Sequence, residues 1–249
     1  LVSILPGMAQ TEKLTDYVNP FVGTDGYGNV YPGAQIPFGG IQISPDTDSR
    51  FYDAASGYKY NHLTLMGFSL THLSGTGIPD LGDFLFIPGT GEMKLKPGTH
   101  EDPDQGYRSR YSHDKEWASP NYYAVELADY GVKAEMTSGV RSGMFRFTYP
   151  ESDNAFIMID MNHTLWQSCE WSNLRMINDS TITGYKLVKG WGPERHVYFT
   201  ATFSKKLTGL RFVQDKKPVI YNTSRFRSSY EAWGKNLMAC ISFDTKAGE

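Results

Sequence analysis

The chain has 249 residues, enough for one large or two small domains around a buried core, and its 24 basic and 27 acidic residues leave a formal charge of −3. That balance, with the basic residues spread thinly, excludes nucleic acid and anionic membrane surfaces as partners, and no run approaches the roughly 20 apolar residues of a membrane span. Aromatic residues make up 14% of the chain, 16 of them tyrosines, and rings with polar tips suit both β-structure and contact with carbohydrate.

The opening LVSILPGMAQ reads as the tail of an apolar secretory segment, with small residues Gly7 and Ala9 ahead of a cleavage point after Ala9; a frayed terminus is the plainer alternative. Residues 1–15 are therefore expected to be residual signal peptide and linker, residues 16–249 the folded domain, and the location secreted or periplasmic.

From Asn19 to Asp46 the chain runs NPFVGTDGYGNVYPGAQIPFGGIQISPD. Glycines and prolines are too dense here for a helix or a strand interior, so this is a shaped loop or a run of tight turns. Between the glycines lie Thr24, Asp25, Tyr27, Asn29 and Tyr31, which supply hydroxyls, a carboxylate, an amide and flat rings. A pyranose shows hydroxyls at its rim and C–H groups on its faces, and this mixture matches both. Asp25 and Asn29 are candidates to hydrogen-bond sugar hydroxyls, Tyr27 to pack on a ring.

Further on, SGYKYNH spans Ser56 to His62, and GFSLTHLSGTGIPDLGDFLFIP spans Gly67 to Pro88. His72, within THLSGTG, is either a group at the site or a structural hydrogen-bonder; a lone histidine among threonine and serine is more often the second. Trp166, Trp171 and Trp191 are further rings for a site or for sheet packing, and the glycines and proline of GWGPER make Trp191 the most exposed of them.

The rest of the chain alternates with period two. GMFRFTY (Gly143 to Tyr149) and HVYFTATF (His196 to Phe203) read as half-buried strands. Further strands are expected over Tyr122 to Leu127, Val132 to Thr137, Phe156 to Met161, Thr181 to Val188, Gly209 to Gln214 and Leu237 to Phe243. A helical turn or two is allowed only at His62 to Met66 or Arg225 to Asn236. Strands in this number, joined by hairpins, bury themselves by stacking two sheets, so the expected fold is all-β: a large two-layer antiparallel β-sandwich with less than about a tenth of its residues helical. Cys169 and Cys240 permit one bridge that spacing does not decide.

Three ordered blocks, VNPFVGTDGYGNVYPGA with IPFGGIQISPDT, then SGYKYNH, then GFSLTHLSGTGIPDLGD, resemble the N-terminal domain of glycoside hydrolase family 92, the calcium-dependent, inverting α-mannosidases. The resemblance continues more loosely through GWGPERHVYFTATFSK. It implies a super-sandwich of galactose-mutarotase-like type that partners a C-terminal (α/α)6 barrel of the same polypeptide, α-mannoside glycans as substrates, and calcium held mainly by that barrel. In the family the catalytic acid and base also come from the barrel. No residue of this chain is therefore assigned a catalytic or metal role, and no EF-hand-like spacing of oxygen ligands occurs. Where the family shows Gly-Gly-His-Gly-His, this chain has Asp25-Gly26-Tyr27-Gly28-Asn29. Where members selective for α-1,2-linked mannose carry a tryptophan beneath the leaving sugar, the position falls at Phe51 or Tyr52. The implied wall of the sugar site is thus Thr24, Asp25, Tyr27, Asn29, Phe51, Tyr52 and His72. The alternative is a stand-alone carbohydrate-binding or interaction module.

Overall fold

A computed structural model describes residues 12–49, 52, 54–220 and 230–249. Among these, the strands in chain order are β1 (Ala34–Gln35), β2 (Gln42–Asp46), β3 (Thr64–Leu65), β4 (Gly67–Ser69), β5 (Leu85–Thr90), β6 (Ser109–Arg110), β7 (Glu116–Ser119), β8 (Tyr122–Leu127), β9 (Val132–Ser138), β10 (Gly143–Thr148), β11 (Ser152–Asp160), β12 (Ser168–Asn178), β13 (Thr181–Lys189), β14 (Arg195–Thr202), β15 (Gly209–Gln214), β16 (Lys217–Pro218), β17 (Glu231–Gly234) and β18 (Leu237–Thr245). Helical geometry among the described residues is confined to single 3-10 turns at Leu14–Tyr17, Pro103–Gln105 and His113–Lys115.

One layer is an eight-stranded antiparallel sheet in the order β1-β2-β4-β5-β11-β18-β15-β16. The other layer is divided into two four-stranded sheets, β10-β9-β8-β7 and β14-β13-β12-β17, while β3 and β6 form a small clip. The divided layer meets the large sheet at Phe86 of β5, whose ring lies 5.2 Å from Phe145 of β10 and 6.0 Å from Phe199 of β14. One ring thus packs against an edge strand of each small sheet, filling the seam where backbone pairing stops.

At the centre of the large sheet, β11 is flanked by β5 and β18. Its Ala155, Ile157 and Ile159 enter the core between the layers, whereas Phe156 and Met158 join Tyr107, Val213 and Met238 in a second cluster on the opposite face. With both faces covered the strand reads AFIMI, an unbroken apolar run. In β10 and β14, one face is covered and the alternation of Phe145 and Phe147, or of Val197, Phe199 and Ala201, with polar neighbours persists.

The two-layer all-β architecture agrees with the sequence expectation, and the eight expected strands are present. The two helical allowances are corrected. Thr64 and Leu65 pair with Arg110 and Ser109, and Glu231 to Gly234 pair with β12, because each stretch lies beside an unpaired strand edge whose hydrogen bonds it completes. Positions 221–229 and the whole of LVSILPGMAQ lie outside the described residues. Cys169 and Cys240 are separate buried thiols.

Candidate functional site

The motif blocks converge because main-chain groups of one loop complete those of the next. Tyr60 N donates to Thr24 O at 2.9 Å, and Gly75 N to Asn29 O at 2.7 Å, joining the glycine loop to the SGYKY and SGTG segments. Gly28 is required by this packing, since a Cβ there would stand 2.1 Å from Gly23 O. Two later loops join them. Leu165 N donates to Leu81 O at 3.0 Å, and Trp191 N donates to Asp80 Oδ2 at 3.2 Å.

Beneath this surface lies a buried polar network. Asp46, at the end of β2 and fully buried, accepts from His72 Nε2 at 2.8 Å and from His163 Nε2 at 2.7 Å. His72 Nδ1 donates to Gln42 O at 2.7 Å, so both nitrogens of that ring face acceptors. Burial pushes the Asp46 carboxyl upward, but the two imidazoles outweigh it and hold the group well below the usual carboxylate range. Gly57 closes over the same carboxylate; a Cβ on it would lie 2.1 Å from Asp46 Oδ1.

A second buried carboxylate, Asp83, sits between Lys186 Nζ at 3.1 Å and the Arg195 guanidinium, and accepts from Thr71 Oγ1 at 2.7 Å. Burial opposes its ionisation, yet Lys186 and Arg195 bring its pKa down to about 2. Lys186, on the buried face of β13, also donates to His163 O at 2.7 Å, which links the two networks. Several bulky residues here hold positive φ: Tyr52 (64°), Leu81 (75°), Phe84 (57°) and Trp166 (84°). Such conformations cost on the order of 1–3 kcal/mol each and cluster where surrounding structure fixes a functional surface.

The expected site residues divide. Tyr27 is 99% exposed and Tyr52 61% exposed, Asp25 is exposed, and Asn29 is partly exposed. Thr24 and His72 lie deeper than the other four: each is 3% exposed, Thr24 Oγ1 donates to Phe21 O at 2.8 Å, and His72 is held by Asp46 and Gln42. Phe51 lies outside the described residues. Trp166 and Trp191 are half exposed rather than packed into a sheet, and Trp191 stands on a loop anchored to Asp80. The glycines flanking Trp191 were the available signal in sequence; for Trp166 there was none.

A shallow cleft of about 350 Å³ lies at the glycine loop, lined by Phe21, Gly23, Thr24, Asp25 and Tyr60. Tyr60 is set by a parallel stack on His113, centroids 3.9 Å apart, and His113 Nδ1 contacts buried Glu116 at 2.7 Å. A larger concavity of about 690 Å³ opens on the outer face of the large sheet, around Tyr107, Asp160, Asp215 and Met238. It contains none of the motif residues and no exposed ring, so the loop end is the stronger candidate.

Comparison with known proteins identifies the family to which this domain belongs. The sequence matches the glycosyl hydrolase family 92 N-terminal domain over residues 17–249. The family 92 glycosyl hydrolase CcMan5 superposes with a TM-score of 0.75 at 27% identity, over 92% of this chain and 30% of that one. A family GH92 inverting mannosidase of Bacteroides thetaiotaomicron gives a TM-score of 0.75 at 24% identity, over 96% of this chain and 31% of that one, a likeness of fold. A protein of Arthroderma benhamiae described as an uncharacterized secreted glycosidase is 30% identical over 139 residues, covering 55% of this chain and 17% of its own length. The chain thus spans about a third or less of the relatives it matches.

Proposed function

The chain belongs to glycosyl hydrolase family 92 as its N-terminal domain, and from that premise we propose that it forms one wall of the substrate pocket in a secreted or periplasmic exo-α-mannosidase. The observation that carries this reading is the joining of the glycine loop to the SGTG turn and to Tyr60, which leaves Tyr27 standing 99% exposed beside Asp25 and Asn29. In this reading Tyr27 and Trp191 offer flat faces to sugar C–H groups, Asp25 and Asn29 bond hydroxyls, and Tyr52 lies beneath the leaving sugar. The secreted description of the fungal relative supports the compartment, and among the described residues no helix is long and apolar enough to cross a membrane.

The acid and base are proposed to come from a C-terminal (α/α)6 barrel of the same polypeptide. Inversion needs two carboxyl groups about 6.5–9.5 Å apart, one of them kept protonated. At this end Asp46, Asp80 and Asp83 are buried and engaged. Asp25 and Glu194 face open water, outside the apolar enclosure that holds a carboxyl as general acid. Calcium would likewise be held mainly by that barrel. It takes six to eight oxygen ligands, and among the described residues the one grouping of three or more acidic, histidine or cysteine ligands is Asp48, His62 and His100, two of them imidazoles. These residues do not fit calcium.

The test is hydrolysis of α-1,2-, α-1,3- and α-1,4-linked mannosides by the polypeptide containing this domain, wild type against Tyr52→Ala. A loss selective for one linkage supports the leaving-sugar platform, and unchanged rates remove Tyr52 from the pocket. Mannoside binding without hydrolysis of any linkage by that polypeptide would instead support a carbohydrate-binding module.

A further inference from the structure

We infer that Asp48, His62 and His100 form a site for a divalent transition metal of zinc type. The three residues come from separate segments: the stretch after β2, the stretch before β3, and the long loop between β5 and β6. Their ligand atoms nevertheless all lie within 4.8 Å of one another. His100 Nε2 stands 3.3 Å from Asp48 Oδ2. Two ligands on one tetrahedral zinc, each about 2.0–2.1 Å from the metal, are separated by about that distance. Among the described residues His100 Nε2 is also a buried nitrogen that makes no hydrogen bond, a condition that native structures rarely leave unanswered.

The surroundings of the two rings are those of metal ligands. Histidines that bind a metal through one nitrogen fix the other with a hydrogen bond. His62 Nδ1 lies 3.0 Å from Thr47 Oγ1, and His100 Nδ1 lies 2.8 Å from Thr64 Oγ1. Thr47 Oγ1 already accepts from Lys59 N at 3.0 Å and turns its own proton toward Gly57 O at 3.4 Å. In the tautomer that carries its proton on Nδ1, His62 donates to Thr47 Oγ1 and would meet the metal through Nε2. Behind the threonines, Arg108 donates to Thr47 O and, at 3.4 Å, to Thr64 Oγ1.

Asp48 is buried while both histidines are partly exposed, so three protein ligands would be completed by water. The imidazole pair with one carboxylate suits zinc or a neighbouring first-row ion and not calcium. Bound metal would clamp the loop carrying His100 to the end of β2, two residues beyond Asp46. The site is independent of the sugar-binding proposal and would stand if that proposal failed.

The experiment is titration of the purified, metal-stripped full chain with Zn²⁺ by calorimetry, and with Co²⁺ by visible absorption, each accompanied by a melting curve. One equivalent should bind, Co²⁺ should give the intense absorption of a four-coordinate site, and Zn²⁺ should raise Tm by several degrees. His62→Ala and His100→Gln should each weaken binding at least about tenfold, whereas His196→Ala, at an exposed position on β14, should leave it unchanged. If a histidine variant does not fold, Asp48→Asn, which keeps both rings and the side-chain volume, takes its place. Absence of stoichiometric binding to wild type, or binding undiminished in the folded variants, would overturn the assignment.

Discussion

Gly75 N donates to the carbonyl oxygen of Asn29 at 2.7 Å, which makes the SGTG turn and the glycine loop a single surface. The rim that offers Tyr27 therefore depends on backbone geometry in two segments, and both depend on the charges buried below.

Asp46 tests that dependence most severely. Replacing it with asparagine keeps the shape but removes the charge that two histidines share, and breaking a buried ionic arrangement by one member costs about 3–5 kcal/mol. Asp46→Asn is expected to lower unfolding free energy by that amount in urea titrations. A loss below about 1 kcal/mol would mean that His72 and His163 do not rely on the carboxylate.

Asp83 gives the network a pH signature. Its folded pKa, brought down to about 2, lies below the ordinary carboxylate value. Its contribution is therefore fully present above about pH 4 and is lost as pH falls through the folded value. On the order of 2 kcal/mol of stability should disappear between about pH 4 and pH 2. The measurement is acid unfolding of wild type and Asp83→Asn, whose stability difference should shrink across that window. A difference that is flat with pH contradicts the assignment.

Glycine requirements separate the loops. At Gly28 an added methyl meets Gly23 O, whereas at Gly192 nothing lies within 4 Å. Gly28→Ala is expected to cost about 1–3 kcal/mol by overpacking, and Gly192→Ala to stay within about 0.5 kcal/mol. Equal effects in denaturant titrations would show that the glycine loop is not packed as described.

The strands were legible because one covered face leaves a period of two, as at Phe145 and Phe147, and two covered faces leave a run such as AFIMI. β12 was not. Its SCEWSNLRMIN slips register between Cys169 and Trp171, and the bulge resets the alternation midway. The loops of the site were legible through their glycines and prolines, but their mutual contacts were not. Asp80 and Trp191 meet across 111 positions, a separation on which local pattern is silent. For His72 the sequence shows its type and not its burial. Lys186 falls on the buried face of β13, where alternation alone would place an apolar residue. Asp83, the partner that makes a buried lysine tolerable, becomes visible only in three dimensions.

Catalysis is expected to require polypeptide beyond this domain. The 249-residue chain, incubated alone with calcium and α-mannosides, should release no mannose above background. Turnover abolished by Asp25→Asn would place the catalytic carboxylate in the glycine loop instead.

The most direct measurement is kcat/KM for α-mannoside hydrolysis by the polypeptide containing this domain, compared among wild type, Tyr27→Ala and Trp191→Ala. Trp117→Ala serves as control, since Trp117 is 44% exposed on β7, where Lys133 Nζ lies 5.7 Å from its ring, and is not among the residues assigned to the sugar. Loss of about tenfold or more in both loop variants, with folding intact and the control unchanged, is the predicted result. Rates in both loop variants within about twofold of wild type would contradict the assignment of this end of the sandwich to the substrate.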